Sequence, residues 1–185
     1  MVRAIKRRKE RRTKTNMYFF TGDEHFSHRN ILKYCDRPFD SVEEMDEELI
    51  CRFNSVVGKN DITIHAGDFT LEKKEVAYKY QQRLNGTHIF LKGSHDYWLR
   101  GTKCHEIWEK TIDGIYVVVC HFAMYVWNRS HFNSFQLYAH SHGKLEPIGK
   151  QSDIGVDTNN FYPYSFDQIK EIMKNRPDNF NLVRR

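Results

Sequence analysis

Apolar positions along the chain fall into two rhythms. Five short runs, at 17–21, 61–66, 87–92, 115–120 and 135–139, are rich in Ile, Val, Phe and Tyr. That composition and length predict strands buried on one or both faces. Between them the apolar spacing widens to a helical period. Ser41 with Glu44 three positions on forms a capping-box signature. After it Val42, Met45, Leu49, Ile50, Phe53 and Val57 recur on one side, and Gly58 supplies a stop. A second helical pattern covers 72–84, with Val76, Tyr80 and Leu84 on one side. A third starts at Ser165, has Gln168 at the box position and Ile169, Ile172 and Met173 behind it, and ends before Pro177. A short helical stretch is expected at 28–34. Strands alternating with helices predict a layered α/β architecture, and no linker divides the expected domain at 17–185.

The chain of 185 residues is long enough to bury a core without staples. Its mean hydropathy is −0.72, and no apolar run approaches the roughly 20 residues of a membrane-spanning helix. A soluble, cytoplasmic domain with no membrane partner is therefore expected. Charge is uneven: the net +5 hides a block at 1–14 with eight Lys and Arg against Glu10. This block contributes +7, so the remainder is slightly acidic at −2. Residues 1–16 are expected to form a solvated, unstructured basic arm, to which nucleic acid is a candidate partner through phosphate neutralisation. The four cysteines, Cys35, Cys51, Cys104 and Cys120, contain no C-x-x-C pair and read as reduced packing residues.

The chemistry-bearing residues stand just past the strands. The first run leads into Gly22-Asp23-Glu24-His25, with His28 and Asn30 beyond. The second leads into Gly67-Asp68 and the third into Gly93-Ser94-His95-Asp96. His121 comes directly after the fourth run, and His140-Ser141-His142-Gly143 after the fifth. A single His or Asp after a strand is usually a cap or a packed side chain, and His65, His88, His105 and His131 are assigned to that ordinary class. Five coincident strand ends, at the edge where open α/β sheets bind ligands, form a pattern. On an extended segment, residues i and i+2 share a side, so Asp23 with His25 and His140 with His142 can each converge. Mixed carboxylate and imidazole suits a first-row divalent metal. Asp23, His25, Asp68, His121, His140 and His142 are more ligands than one open ion uses, which points to two ions with Asp68 between them. Two ions about 3.5–4 Å apart clamp a phosphoryl group for in-line displacement.

Asp-x-His, Gly-Asp, Gly-x-His-Asp, a lone His after a strand and His-x-His, in that order, resemble the calcineurin-like metallophosphoesterases, in their small single-domain branch. In that branch the first motif extends as Asp23, His25, Phe26, His28 and Asn30. The similarity continues through Arg37-Pro38-Phe39 and Tyr162-Pro163 and spans roughly 17–175. The resemblance implies a four-layered α/β/β/α sandwich with metals at strand ends. It implies a first ion on Asp23, His25 and His142, Asp68 as bridge, and a second ion on His121, His140 and position 94. It further implies His95 as general acid, oriented by Asp96, with His28, Arg29 and Asn30 at the substrate. The ions would be two divalent metals, manganese first, with Fe, Ni, Co and Zn as alternatives. The implied reaction is hydrolysis of a phosphate ester, foremost a diester, by a hydroxide bridging the ions. Two positions depart from the pattern. Ser94 replaces an Asn, which weakens the second site, and Ala139 replaces a Gly. Two other functions fit the same fold: a non-catalytic metal-binding module, which Ser94 favours, and a nuclease that uses the basic arm.

Overall fold

The computed structural model describes residues 16–183; the basic arm lies almost wholly outside them. Two four-stranded sheets face each other. The first has the order β3 (Thr87–Phe90), β2 (Ile62–His65), β1 (Tyr18–Thr21), β8 (Tyr164–Ser165). β1, β2 and β3 run parallel and β8 antiparallel. The second has the order β4 (Ile107–Ile112), β5 (Ile115–Cys120), β6 (Phe135–Tyr138), β7 (Gln151–Asp153). There β4 and β5 form an antiparallel hairpin, and β5, β6 and β7 are parallel.

The period of two along each strand builds two cores. Phe20, Ile64, Ala66 and Leu91 of the first sheet meet Val117, Val119, Leu137 and Ala139 of the second, sealing the sandwich. On the other face of the first sheet, Phe19 packs with a helical layer: α1 (Ile31–Tyr34), α2 (Val42–Val56) and α3 (Lys74–Gln81). α2 supplies Met45, Leu49, Ile50 and Phe53, the predicted face. α4 (Phe166–Lys174) packs against β1, β7 and β8 and closes one edge, burying Phe166, Ile169 and Met173. The architecture is the expected α/β sandwich. Among the described residues, no helix is long and apolar enough to cross a membrane.

Local chemistry accounts for where the elements differ from expectation. At α2 Ser41 accepts from the Glu44 amide, but the Glu44 carboxylate takes the Asp40 amide instead of that of Ser41. Only α4 carries the full reciprocal box, Ser165 with Gln168. Three strands lie outside the five apolar runs: β4, largely exposed at a sheet edge, the polar Gln-Ser-Asp of β7, and the two-residue β8. Tertiary pairing, not local pattern, makes them strands. Cys51 is exposed rather than packed, Cys35 and Cys104 are half-buried, and Cys120 is buried.

Because β1, β2 and β3 are parallel and in register, with Thr21 opposite His65 and His65 opposite Phe90, their motif loops leave from one edge. β5 and β6 leave the second sheet on the same side. The Ala139 amide bonds the His121 carbonyl within the second group of loops, and the Val156 amide bonds the Gly22 carbonyl, joining that group to the first.

Candidate metal centre

The loop after β1 continues beside the loop after β2. The amides of Asp23, His25 and Phe26 bond the carbonyls of Gly67, Asp68 and Phe69, at 2.9, 3.0 and 2.9 Å. Neither loop is extended. Asp23, His25 and Asp68 have φ of 55°, 54° and 57°, and His140 and His142 have 69° and 48°. Five of the seven residues expected to hold metal thus occupy the left-handed region, which costs energy for any residue with a Cβ. Asp23 and His25 therefore converge through a strained turn and not through strand alternation, and the turn at 140–142 sends its two imidazoles to separate ligand groups, both corrections to the sequence expectation. Gly67, at φ 106°, is required: a Cβ there would meet the Gly93 backbone at 2.6 Å and His121 Nδ1 at 2.8 Å. The methyl of Ala139 lies where a Cβ on Gly22 would meet it, at 2.8 Å. The alanine is therefore accommodated by the glycine across from it.

The side chains gather in two groups. Asp23, His25 and His142 each offer a ligand-type atom, all within 4.8 Å of one another; Asp68, His121 and His140 do the same. Asp68 lies between the groups, with Oδ2 3.8 Å from His25 Nε2 and 3.4 Å from His121 Nε2. Most of these atoms are sealed from solvent. Both carboxylate oxygens of Asp23, both ring nitrogens of His25 and Nε2 of His121 are buried without a hydrogen-bond partner. Polar atoms left so are costly unless something else satisfies them. Electrostatics point the same way. Burial, then Asp153, Asp68, Asp157 and Glu24, push the Asp23 carboxyl well above its ordinary range. Burial lowers His25 to about 3, leaving a neutral ring with a free lone pair at neutral pH. Burial opposes ionisation of Asp68, but His121, the His95 amide and His25 outweigh it and hold that carboxyl at about 2.

Neighbouring groups orient the imidazoles. His121 Nδ1 donates to the Ala66 carbonyl at 3.0 Å, which orients the ring with Nε2 toward Asp68. His142 Nδ1 donates to Asp157 Oδ2 at 2.7 Å, leaving Nε2 free. Ligating histidines are held in this way in metal sites. Asp157 in turn is gripped by Arg37 through Nε at 2.8 Å and Nη2 at 2.9 Å. The same guanidinium donates to the Asp23 and Glu24 carbonyls. Asp153 accepts from Ser141 Oγ, the Gly143 amide and the Gly155 amide, anchoring the turn that carries His140 and His142. Arg37, Asp153 and Asp157 escaped the sequence expectation as members of the site. The one legible hint was Asp153-x-Gly155, and a Cβ on Gly155 would lie 2.9 Å from Asp23 Oδ2.

The third strand end differs from expectation. His95 is half-buried beside the cluster, its ring centroid 5.8 Å from that of His25 and its amide bonded to Asp68 Oδ1 at 2.8 Å. Asp96 is not paired with it. Its carboxylate accepts from the amides of Asp68, Phe69 and Gly93 and from Trp98 Nε1, which ties the second and third loops together. Asp96 is thus a positioning residue. Ser94 is exposed on the same turn. His28 is half-buried, its ring 5.3 Å from that of His25, while Arg29 and Asn30 are exposed on the rim; Asn30 makes no side-chain cap to α1. His65, assigned to the ordinary class, proves wholly buried in a chain behind the site, from Glu24 Oε1 (2.6 Å) to His88 Nδ1 (3.0 Å).

Comparison with known proteins places this geometry. No protein-family model matches the chain. A solved structure of AQ665 from Aquifex aeolicus, described as of unknown function, superposes with a TM-score of 0.69 at 19% identity, covering 85% of this chain and all of that one. That likeness is one of fold. A mutant of Vps29 from Entamoeba histolytica reaches only 0.43 at 15% identity, over 68% of this chain and 64% of that one, too loose to bear on function. In sequence, the uncharacterized protein MJ1445 of Methanocaldococcus jannaschii is 32% identical over 167 residues, 84% of this chain and 90% of that protein. By that relationship the chain belongs to the same family as MJ1445.

Proposed function

We propose that the protein is a metal-dependent phosphoesterase of the calcineurin-like type, acting foremost on phosphodiesters. One observation carries this: five buried nitrogen and oxygen atoms of Asp23, His25 and His121 have no protein partner, and they lie amid carboxylates that repel one another. A pair of divalent cations would satisfy all of them. Asp23, His25 and His142 would hold one, His121 and His140 the other, with Asp68 shared between them and Ser94 near the second. Such ions polarise a phosphate and lower the pKa of water to supply a nucleophile near neutral pH.

The remaining steps belong to the chain. The Nδ1 hydrogen bonds of His121 and His142 leave Nε2 as the atom each ring offers to an ion, and the Arg37–Asp157 pair holds the His142 ring in place. His95, half-buried at the mouth of the cluster, is placed to protonate the departing alcohol. His28, Arg29 and Asn30 line the approach for the phosphate anion. Manganese is expected to support hydrolysis of bis(p-nitrophenyl) phosphate, and His95→Ala to lower the rate by about 10²–10⁴-fold. Unchanged turnover would remove His95 from the role. Inactivity with Mn²⁺, Fe²⁺, Co²⁺, Ni²⁺ and Zn²⁺ alike would favour the non-catalytic module.

A further inference from the structure

Phe122 is the residue directly after His121, and it is half exposed, at 50%. Its ring meets two of the clustered imidazoles edge-on: His121 at 4.8 Å and 75°, and His140 at 4.8 Å and 66°. The turn that carries this ring is braced from the sheet behind it. Gln136 of β6 is fully buried; its Nε2 donates to the Phe122 carbonyl at 3.2 Å and its Oε1 accepts from the Met124 amide at 3.4 Å. Gln151 of β7, also buried, donates to the Met124 carbonyl and to Gln136 Oε1, at 2.5 and 2.7 Å. Two amides thus occupy strand positions where an aliphatic side chain would pack without needing partners. Three of their hydrogen bonds go to the backbone of residues 122–124, one joins the two amides, and the other two take the Leu137 carbonyl and the Ile148 amide. The backbone that carries Phe122 is thus braced, and its ring stands exposed against two imidazoles of the candidate centre. Two exposed cations suited to a phosphate anion follow site residues in the chain: Arg29, next to His28, and Lys144, two positions past His142, whose Nζ donates to the Tyr34 carbonyl at 3.3 Å.

Resting on the phosphoesterase proposal, we infer that Phe122 is a stacking platform and that the substrate is a phosphate ester bearing a flat aromatic or heteroaromatic ring, as a nucleotide does. Base-on-aromatic stacking contributes enough to change affinity about 5- to 100-fold.

Calorimetric titration of the Mn²⁺-loaded protein with adenosine 5′-monophosphate, ribose 5-phosphate and inorganic phosphate tests this, since the first two differ only by the ring. The nucleotide is expected to bind about 5- to 100-fold more tightly than ribose 5-phosphate. Phe122→Ala should collapse that ratio toward one, and Phe122→Tyr should keep it. Equal affinities in the wild type, or a ratio that survives Phe122→Ala, overturn the platform while leaving the phosphoesterase proposal standing. Failure to bind any of the three, phosphate included, overturns both.

Discussion

Arg37 shows how much of the site depends on one side chain that offers no ligand atom itself. It is 4% exposed, and its guanidinium joins the loop after β1 to Asp157. Asp157, held below its ordinary range by His142 and Arg37 against the cost of burial, is ionised at neutral pH. Replacing Arg37 by an apolar residue of similar length would therefore strand a buried carboxylate, a change that typically costs about 3–5 kcal/mol. Arg37→Met is expected to lose that much in urea unfolding; a loss below about 1 kcal/mol would mean that Asp157 finds other partners. None of this was legible in the sequence. Arg37 and Asp157 lie 120 positions apart, and an ion pair between distant loops leaves no local period or spacing. The candidate ligands were legible for the opposite reason: each stands after an apolar run, so the pattern that predicts a strand also marks its end. Asp96 lies at the limit of this logic. Its place in a motif was visible, but three backbone amides and the Trp98 indole claim its carboxylate, through loop geometry that the sequence does not display.

At the scale of elements, α2 does more than cover the first sheet. Its buried Asp46 receives the Ser27 amide on both oxygens, at 3.1 Å each, and the Tyr80 hydroxyl at 2.6 Å. It thereby pins the turn between His25 and His28 to two helices. Burial raises this carboxyl to about 6 despite those bonds. In the unfolded chain it ionises near 3.8, so between these values the native state binds the extra proton. Stability from this group is full below about 3.8 and is lost as pH rises through about 6. Asp46→Asn is expected to flatten that part of the stability profile. Comparing urea midpoints of variant and wild type at about pH 4 and pH 7 checks it, and parallel curves would refute the raised carboxyl. The helices themselves were readable because amphipathic faces and Ser caps are local signals, whereas β4, β7 and β8 exist only through their neighbours. β7 makes the contrast sharp: Gln151 and Asp153 look like loop residues, yet both are buried. One braces the Phe122 turn and the other anchors the His140–His142 turn.

For the whole molecule, two sheets bring five strand ends to one edge and leave there a cluster whose internal balance is unfavourable. Asp23, Asp68, Asp153, Asp157 and Glu24 share a small buried volume, and Asp23 holds its proton well above the usual carboxylate range as a result. Left-handed turns at five candidate ligands add strain. A fold that carries such a cluster gives up stability at its most buried edge, and binding of cations would recover it. Cations compete with the proton that burial and the neighbouring carboxylates favour on Asp23, so affinity should rise with pH. His25, neutral down to about 3, offers no competing proton in the physiological range. Manganese at about a hundred times its dissociation constant should add about 2.7 kcal/mol of stability, or roughly 5–10 °C in melting temperature for a domain of this size. The gain at a fixed manganese concentration should be larger at about pH 8 than at about pH 6, and Asp23→Asn should abolish both the gain and its pH dependence. Thermal melts with manganese and with chelator at the two pH values measure this directly. A gain independent of pH would mean that Asp23 keeps no proton to surrender. No gain at either pH would mean that the unpartnered atoms of Asp23, His25 and His121 serve some purpose other than holding metal.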